Sequence, residues 1–151
     1  NTIYNMLNLF SETIKHTIQA MIYLATYDNQ RVMVSQIAEY YDIPKFYLAK
    51  LMQTLTKHHL VKSTRGRTGG VKLNKPAKDI RIIDIIRAID GPTPEHEVCV
   101  FGLDICSDSV PCPVHDVWKN MKENIKNELY HQNLENLSIE LDKKHKLLDT
   151  D

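Results

Sequence analysis

The chain has 151 residues, of which 42% are hydrophobic and 25% charged, with five glycines and six prolines. This composition is typical of a globular domain. It excludes collagen, low-complexity disorder and a disulfide-dense miniprotein, because each needs a compositional excess that this sequence lacks. The sequence contains no run of roughly 18 uninterrupted apolar residues, so we expect no membrane span. We also expect no secretion signal, and therefore a cytoplasmic protein.

The net charge of zero conceals an uneven distribution of charge along the chain. Residues 1–90 carry 13 basic and 7 acidic side chains, whereas residues 91–151 carry 6 and 12. Residues 44–81 alone hold ten basic side chains and one acidic side chain. Such a basic block is typical of proteins that bind nucleic acid, because each neutralised phosphate releases counterions. A solvated basic face is the alternative, and charge alone does not decide between them.

The first third of the chain predicts three helices. Apolar residues at steps of three and four predict a helix over residues 10–27. A second helix is expected to begin at Ser35, because serine caps helix N-termini. Pro44 suits a first helical turn, and the apolar stripe after it predicts a third helix to about His59. Two short helices joined by a tight turn indicate a helix-turn-helix.

A basic hairpin is predicted directly after the third helix. Residues 60–64 and 71–73 have the composition of strands, and the turn between them contains three of the five glycines. Glycine permits positive φ angles and a close approach of the backbone to a partner surface. A glycine-rich hairpin alone is weak evidence, but its place after a helix-turn-helix favours the wing of a winged-helix domain.

The second half of the chain predicts a loop between two helices and a last short helix. A fourth helix is expected over about residues 79–89, a loop over 91–112 and a long helix from Pro113 to about His131. One apolar stripe follows the long helix: Val114, Val117, Trp118, Met121, Ile125 and Leu129. Such a stripe outside the core favours a homodimer, and packing against its own domain is the alternative. The last helix is expected from Ser138.

The expected fold class is therefore mainly α with a small β-hairpin. We assign residues 7–90 to a winged helix-turn-helix DNA-binding domain and residues 91–112 to a cysteine-containing cluster loop. Residues 113–146 are assigned to a dimerisation helix and the C-terminal segment.

All three cysteines of the chain lie within the predicted loop, and a histidine follows the last of them. The spacing is Cys99-x6-Cys106-x5-Cys112-x2-His115. Three thiolates and an imidazole form a four-ligand set that suits either zinc or an iron-sulfur cluster. Ordinary thiols without a metal are the alternative. Because His115 falls in the first turn of the long helix, a metal bound here would be tied mechanically to that helix.

Seven short segments together resemble the Rrf-type family of bacterial winged-helix transcriptional regulators. They are Ala20–Ala25, Ile37–Glu39, Ile43–Leu48, Leu60–Gly66, Gly69–Gly70, Ile89–Gly91 and Cys112–Trp118. The resemblance covers about residues 7–141. It implies a cytoplasmic dimer on an inverted-repeat DNA operator, with the third helix in the major groove and the wing near the minor groove. It also implies an iron-sulfur cluster in the cysteine loop.

The resemblance also implies which residues touch DNA and which hold the cluster. Phe46, Tyr47, Lys50 and Arg65 match family positions that contact DNA, and charge and placement add Lys45, Arg67 and Thr68. The implied cluster ligands are Cys99, Cys106, Cys112 and His115.

The fourth ligand bears on the type of cluster. Some family members use a first-helix carboxylate of the partner subunit, and Lys15 stands at that position here. Because lysine is a poor ligand, this favours His115 and a 2Fe-2S over a 4Fe-4S cluster. Glu12, one turn earlier, leaves a cross-subunit carboxylate open.

These residues predict a regulator and not an enzyme, because the sequence contains no catalytic triad, Walker-type phosphate loop or paired-carboxylate motif. Assembly or loss of the cluster is expected to alter operator binding through the long helix. Three alternatives remain within the same fold: structural zinc, redox-active thiols, or control by a protein partner or small ligand without a cluster. A protein-interaction module that does not bind DNA is a further alternative.

Overall fold

The computed structural model describes residues 10–27, 30–92, 99, 101 and 106–148. The elements of this part of the chain are α1 (Glu12–Thr26), α2 (Val34–Tyr41), α3 (Lys45–Lys57), β1 (Val61–Thr64), β2 (Gly70–Leu73), a 3-10 turn (Ala77–Asp79), α4 (Ile82–Asp90), α5 (His115–His131) and α6 (Leu134–Leu148). The mainly helical fold with one antiparallel hairpin confirms the predicted fold class. Half of the predicted loop, residues 93–98, 100 and 102–105, lies outside the described residues.

The first three helices pack around one apolar core. Ser11 caps α1, its Oγ accepting a hydrogen bond from the Ile14 backbone N–H at 3.2 Å. The core contains fully buried side chains from each helix, among them Met21, Ile37 and Leu55. Each lies on the apolar stripe of its own helix, so burial follows the periodicity of the sequence.

The start of α2 differs from the prediction. The helix begins at Val34, with Met33 at the cap position, so Ser35 lies inside the first turn. Gln36 accounts for the difference, because its Oε1 accepts the Met33 backbone N–H at 2.9 Å. The helix ends at Tyr41, and the φ of 53° at the C-cap residue Asp42 lies in the left-handed region. This reversal aims the chain into α3.

An isolated β-bridge lies beside the hairpin. β1 and β2 pair antiparallel, with Val61 opposite Leu73 and Thr64 opposite Gly70. Val32 pairs with Val71 through two backbone hydrogen bonds of 2.9 and 2.8 Å. A Cβ at Gly70 would lie 2.8 Å from the Val32 carbonyl oxygen. Glycine is therefore required where the wing meets the segment before α2.

The C-terminal helix is longer than predicted and packs against the winged-helix body. α6 begins at Leu134 and not at Ser138, and Asn133 caps it by accepting the Asn136 backbone N–H at 2.8 Å. Leu134 is fully buried in the core, and Leu137 and Leu141 pack against it. The expectation was wrong because these residues, not Ser138, place the apolar face of the helix on α1 and the 3-10 turn. No helix in the described part of the chain is long and apolar enough to cross a membrane.

Candidate functional site

α3 presents a basic and aromatic face to solvent. Its opposite face is buried through Leu48, Leu51, Met52 and Leu55. Lys45, Phe46 and Lys50 are exposed, and Phe46 is 86% exposed although it is fully apolar. A large exposed aromatic side chain between two lysines is typical of a binding surface and not of a core. The three residues lie on the first two turns of α3.

Tyr47 lies differently from its neighbours on α3. Its side chain is half-buried, and its hydroxyl donates a hydrogen bond to Thr13 Oγ1 at 2.8 Å. The ring packs edge-on against His16, with 5.8 Å between the ring centroids. Tyr47 therefore ties the start of α3 to α1, whatever contact it makes with DNA.

The hairpin tip carries the other predicted DNA residues. Arg65, Arg67 and Thr68 are all exposed there. Arg31 joins this surface, because its Nη1 donates to the Thr68 carbonyl oxygen at 3.4 Å. Sequence reasoning missed Arg31, which lies 37 positions from Thr68. The only signal available was its charge directly before Val32.

The structure brings the three cysteines together. Their Sγ atoms all lie within 4.8 Å of one another. Cys99 and Cys106 are buried, Cys112 is half-buried, and all three are free thiols. No single helix or strand of the described residues carries all three, so their convergence depends on how the chain reaches the start of α5.

His115 is the first residue of α5 and lies beside one of the three sulfurs. Its backbone N–H donates to the Cys112 carbonyl oxygen at 3.0 Å, which sets the helix start one turn after that cysteine. The ring is 3% exposed, and Nδ1 lies 2.9 Å from Cys106 Sγ. Of the four residues predicted as ligands, the three sulfurs thus form one group and the imidazole contacts one of them.

Two residues that sequence reasoning missed hold the outer side of this histidine. Asp108 Oδ1 lies 3.0 Å from His115 Nε2. Lys119 Nζ donates to both Asp108 carboxylate oxygens, at 2.8 and 2.7 Å. The only available signal was a carboxylate between two cysteines and a lysine four residues after the histidine.

The neighbours of Cys106 and His115 shift the pKa values of these two groups in opposite directions. The Cys112 backbone N–H, followed by His115, lowers the pKa of the Cys106 thiol. Asp108 and then Cys106 raise the pKa of His115. At Cys112 the Val114 backbone N–H lowers the thiol pKa, but burial and the other two sulfurs outweigh it and leave it raised. Of these two thiols, Cys106 therefore loses its proton more readily than Cys112.

This donor set fits a soft metal. Zinc with bonds of about 2.3 Å to sulfur holds two thiolates roughly 3.8 Å apart in a tetrahedral site, so sulfurs within 4.8 Å need little movement to bind it. Thiolates with an imidazole also suit an iron-sulfur cluster. The other carboxylate considered, Glu12, is exposed and pairs with Lys15 Nζ at 2.9 Å.

The far end of α5 is attached to α4. Arg87 Nη2 donates to the Tyr130 hydroxyl, and the Arg87 and Arg81 guanidinium carbons lie 5.0 and 5.7 Å from the Tyr130 ring centroid. The Ile82 backbone N–H donates to the Gln132 carbonyl oxygen at 3.1 Å. One helix thus has the cysteine cluster at its start and the winged-helix body at its end.

A helix-turn-helix with a basic recognition helix and a hairpin wing defines the class of winged-helix DNA-binding proteins. Residues 10–140 match the Rrf2 family model, described as iron-dependent transcriptional regulators. The chain belongs to the Rrf2 family of DNA-binding transcriptional regulators. The predicted resemblance is confirmed, as is the expectation of a regulator and not an enzyme.

Individual relatives agree with this assignment. A protein of Aquifex aeolicus (strain VF5), named among the HTH-type transcriptional regulators, is 34% identical over 139 residues, which are 91% of this chain and 95% of the relative. The structure is similar to CymR (YrzC), the global cysteine regulator of B. subtilis, with a TM-score of 0.71, 28% identity and coverage of 85% of this chain and 95% of CymR. T. potens IscR is similar with a TM-score of 0.67, 30% identity and coverage of 88% of each chain.

Proposed function

We propose that this Rrf2-family regulator senses its signal through an iron-sulfur cluster held by Cys99, Cys106, Cys112 and His115. The carrying observation is the convergence of three sulfurs within 4.8 Å, with His115 Nδ1 2.9 Å from one of them. When bound, the cluster supplies redox chemistry and sensitivity to oxidants, iron supply or nitric oxide. We favour a 2Fe-2S over a 4Fe-4S cluster, because an imidazole of the same chain lies 2.9 Å from Cys106 Sγ and could serve as the fourth ligand.

DNA is bound through α3 and the wing. Phe46 and Lys50 on the exposed face of α3 are placed to enter the major groove, with Lys45 and Tyr47 beside them. At the wing tip, Arg65, Arg67 and Thr68 are proposed to contact the minor groove and its phosphates. The arginines read groove width, whereas the lysines contact phosphate and set register. Residues 7–90 form the DNA-binding domain in this proposal.

A homodimer on an inverted-repeat operator is the proposed functional unit. Among the described residues of α5, only His115 is buried, and Val117 is 74% exposed. Trp118, Met121 and Ile125 on the same helix are half-exposed. A second protomer would cover this stripe, so residues 113–146 would contain the dimerisation helix and residues 91–112 the cluster loop.

Communication between the sites is proposed to run through α5. His115 lies at the start of α5, Tyr130 near its end contacts Arg87 of α4, and α4 packs against α3. A change in the position of His115 is therefore transmitted to the helix that supports the recognition helix. Coupling of this kind is reciprocal. If the cluster increases the affinity for DNA by some factor, DNA must increase the affinity for the cluster by the same factor.

A mononuclear zinc site is the second candidate, and the compactness of the cluster favours it. Three sulfurs within 4.8 Å are already close to the spacing of about 3.8 Å that tetrahedral zinc needs. In that case the metal would stabilise the start of α5, and DNA binding would not respond to oxidants through iron.

Metal analysis of protein purified without oxygen, together with DNA binding, tests the proposal. We expect visible absorbance with equal iron and sulfide, and about two irons per chain for 2Fe-2S. Selection of duplexes from a random library by loaded and metal-free protein should yield an inverted repeat that the two forms bind with different affinity. Colourless protein with one zinc per chain would replace the cluster by the second candidate. Equal operator affinity of loaded protein and Cys106→Ala would overturn the coupling.

A further inference from the structure

The imidazole of His115 is held between two different partners. Nδ1 faces Cys106 Sγ at 2.9 Å, and Nε2 faces Asp108 Oδ1 at 3.0 Å. A carboxylate accepts hydrogen bonds only, so Nε2 carries a hydrogen in this arrangement. The nitrogen that can lose its proton and offer a lone pair to a metal is then Nδ1, on the side of the sulfurs.

Asp108 is itself held in place from a second direction. Lys119 Nζ donates to both of its carboxylate oxygens, at 2.8 and 2.7 Å. The backbone around Asp108 is a tight turn closed by the Val110 N–H to the Ser107 carbonyl oxygen at 3.0 Å. His115 and Lys119 lie one turn apart on α5. One carboxylate of the loop therefore bridges two successive turns of the helix.

The exposure of Asp108 argues against a purely stabilising role. Its side chain is 72% exposed. An ion pair that exposed contributes little to folding, because water screens it. Its partner His115 is buried, so the hydrogen bond has its main effect on the orientation and tautomer of the ring.

We propose that Asp108, held by Lys119, is a positioning residue that fixes His115 so that Nδ1 and not Nε2 binds the metal centre beside the three cysteines. This rests on the proposed function, because it assumes a centre that uses His115. It applies equally to an iron-sulfur cluster and to zinc, since both require a neutral imidazole nitrogen with a free lone pair. The loop turn, and not the cysteines alone, then selects the ligand atom.

The first test identifies the ligand nitrogen directly. Protein is prepared with histidine labelled with nitrogen-15 at Nδ1 only or at Nε2 only, the cluster is reconstituted, and the reduced form is studied by pulsed electron paramagnetic resonance. When Nδ1 carries the label, we expect the strong hyperfine coupling of the directly bound nitrogen to show the nitrogen-15 pattern in place of the nitrogen-14 pattern. A change with the Nε2 label would overturn the proposal while leaving His115 as a ligand.

The second test measures what Asp108 contributes. Competition with a chelator for Zn²⁺ is compared among wild type, Asp108→Ala and the matched control Asp116→Ala, which removes an exposed carboxylate next to His115 in the sequence. Loss of an outer partner of a metal-bound histidine weakens metal binding by roughly 10- to 100-fold. We expect a loss of that size for Asp108→Ala, less for Asp108→Asn, and under about twofold for the control.

The outcomes separate this proposal from the proposed function. Equal Zn²⁺ affinity of Asp108→Ala and Asp116→Ala, with His115→Ala much weaker, would remove the role of Asp108 and keep His115 as a ligand. If His115→Ala keeps its Zn²⁺ affinity and its cluster spectra, His115 is not a ligand. Both the fourth ligand of the proposed function and this inference would then be wrong. Far-UV circular dichroism of each metal-free variant shows whether it remains folded.

Discussion

The winged-helix body and the cysteine cluster are built on opposite principles. The body buries a continuous apolar core that includes side chains from α1 to α4, the hairpin and α6. The cluster gathers three thiols and an imidazole on a loop and one helix start. Apolar burial stabilises the body without any ligand. The cluster groups repel one another as thiolates, so their close placement is expected to depend on a bound metal or on shared protons. The body therefore provides a constant frame, and the proposed function assigns the response to the cluster.

The largest effect should come from the body. Ile85 of α4 is fully buried, so Ile85→Ala should lower the free energy of unfolding by about 2–5 kcal/mol through lost burial and a cavity. Urea unfolding should give the same loss in metal-loaded and metal-free protein. The control Lys144→Ala, at an exposed position of α6, should change it by less than about 0.5 kcal/mol. A loss for Ile85→Ala that depends on metal would show that the body is not a constant frame.

Metal removal should be the next largest effect. A ligand that binds only the folded state stabilises it by about 2.7 kcal/mol at a free concentration of 100 times Kd. We expect Zn²⁺ at that excess to raise the unfolding free energy of wild type by this amount and to leave Cys106→Ser unchanged. Hydrogen exchange should show the gain at the start of α5, whereas α3 should show it only in amides that exchange through global unfolding. No gain at the start of α5 would contradict metal binding there.

The connection between the two regions should have a smaller effect. Tyr130→Phe removes the hydroxyl that accepts from Arg87, and we expect a loss of about 1 kcal/mol in thermal or urea unfolding. A double-mutant cycle with Arg87→Met should give a coupling of at least about 0.5 kcal/mol, because the two side chains touch. The same two substitutions together should reduce the difference in operator affinity between cluster-loaded and metal-free protein. An unaltered difference would remove this contact from the route between the sites.

The DNA surface can be tested through its response to salt. Lys50→Gln and Arg67→Gln should each reduce the slope of log affinity against log salt by about one unit, because Lys50 is proposed to contact a phosphate and Arg67 to bring its charge between the phosphates of the minor groove. The control Lys144→Gln, at an exposed position of α6, should leave the slope unchanged. Fluorescence anisotropy of a labelled duplex over a range of salt concentrations measures all three. Equal slopes for Lys50→Gln and Lys144→Gln would exclude Lys50 from the interface.

The smallest effect concerns pH in the metal-free protein. Asp108 and Cys106 raise the pKa of His115 above its ordinary value of 6.5. A raised histidine pKa stabilises the folded state below pH 6.5, and this contribution is lost as pH rises through the folded value. The difference in unfolding free energy between wild type and His115→Gln should therefore be largest in acid. Titration by nuclear magnetic resonance should show the raised pKa, and Asp108→Ala should lower it. A pKa at or below 6.5 in wild type would contradict the geometry of the cluster.

Local patterns explain why much of the body was predictable. The apolar steps of α1, α3 and α4 each describe one buried face of one helix, and periodicity reports such a face directly. The hairpin was predictable because Gly69 and Gly70 mark the positions where the backbone passes close to Thr64 and Val32. The prediction that α2 begins at Ser35 was wrong because Gln36, a residue of the same turn, accepts the capping hydrogen bond in its place.

At the candidate site, the sequence by itself determined the ligand types, the spacing of the cysteines and the place of His115 at a helix start. All of these are properties of one continuous segment. Only the tertiary structure decided that Arg31 reaches the wing, that Tyr47 turns toward α1 and that Leu134 closes the core. It also decided that Asp108 and Lys119 hold the histidine, because that contact needs a loop turn to dock on two turns of α5. Local periodicity reports which face of an element is apolar, but which distant partner meets that face depends on how the whole chain packs.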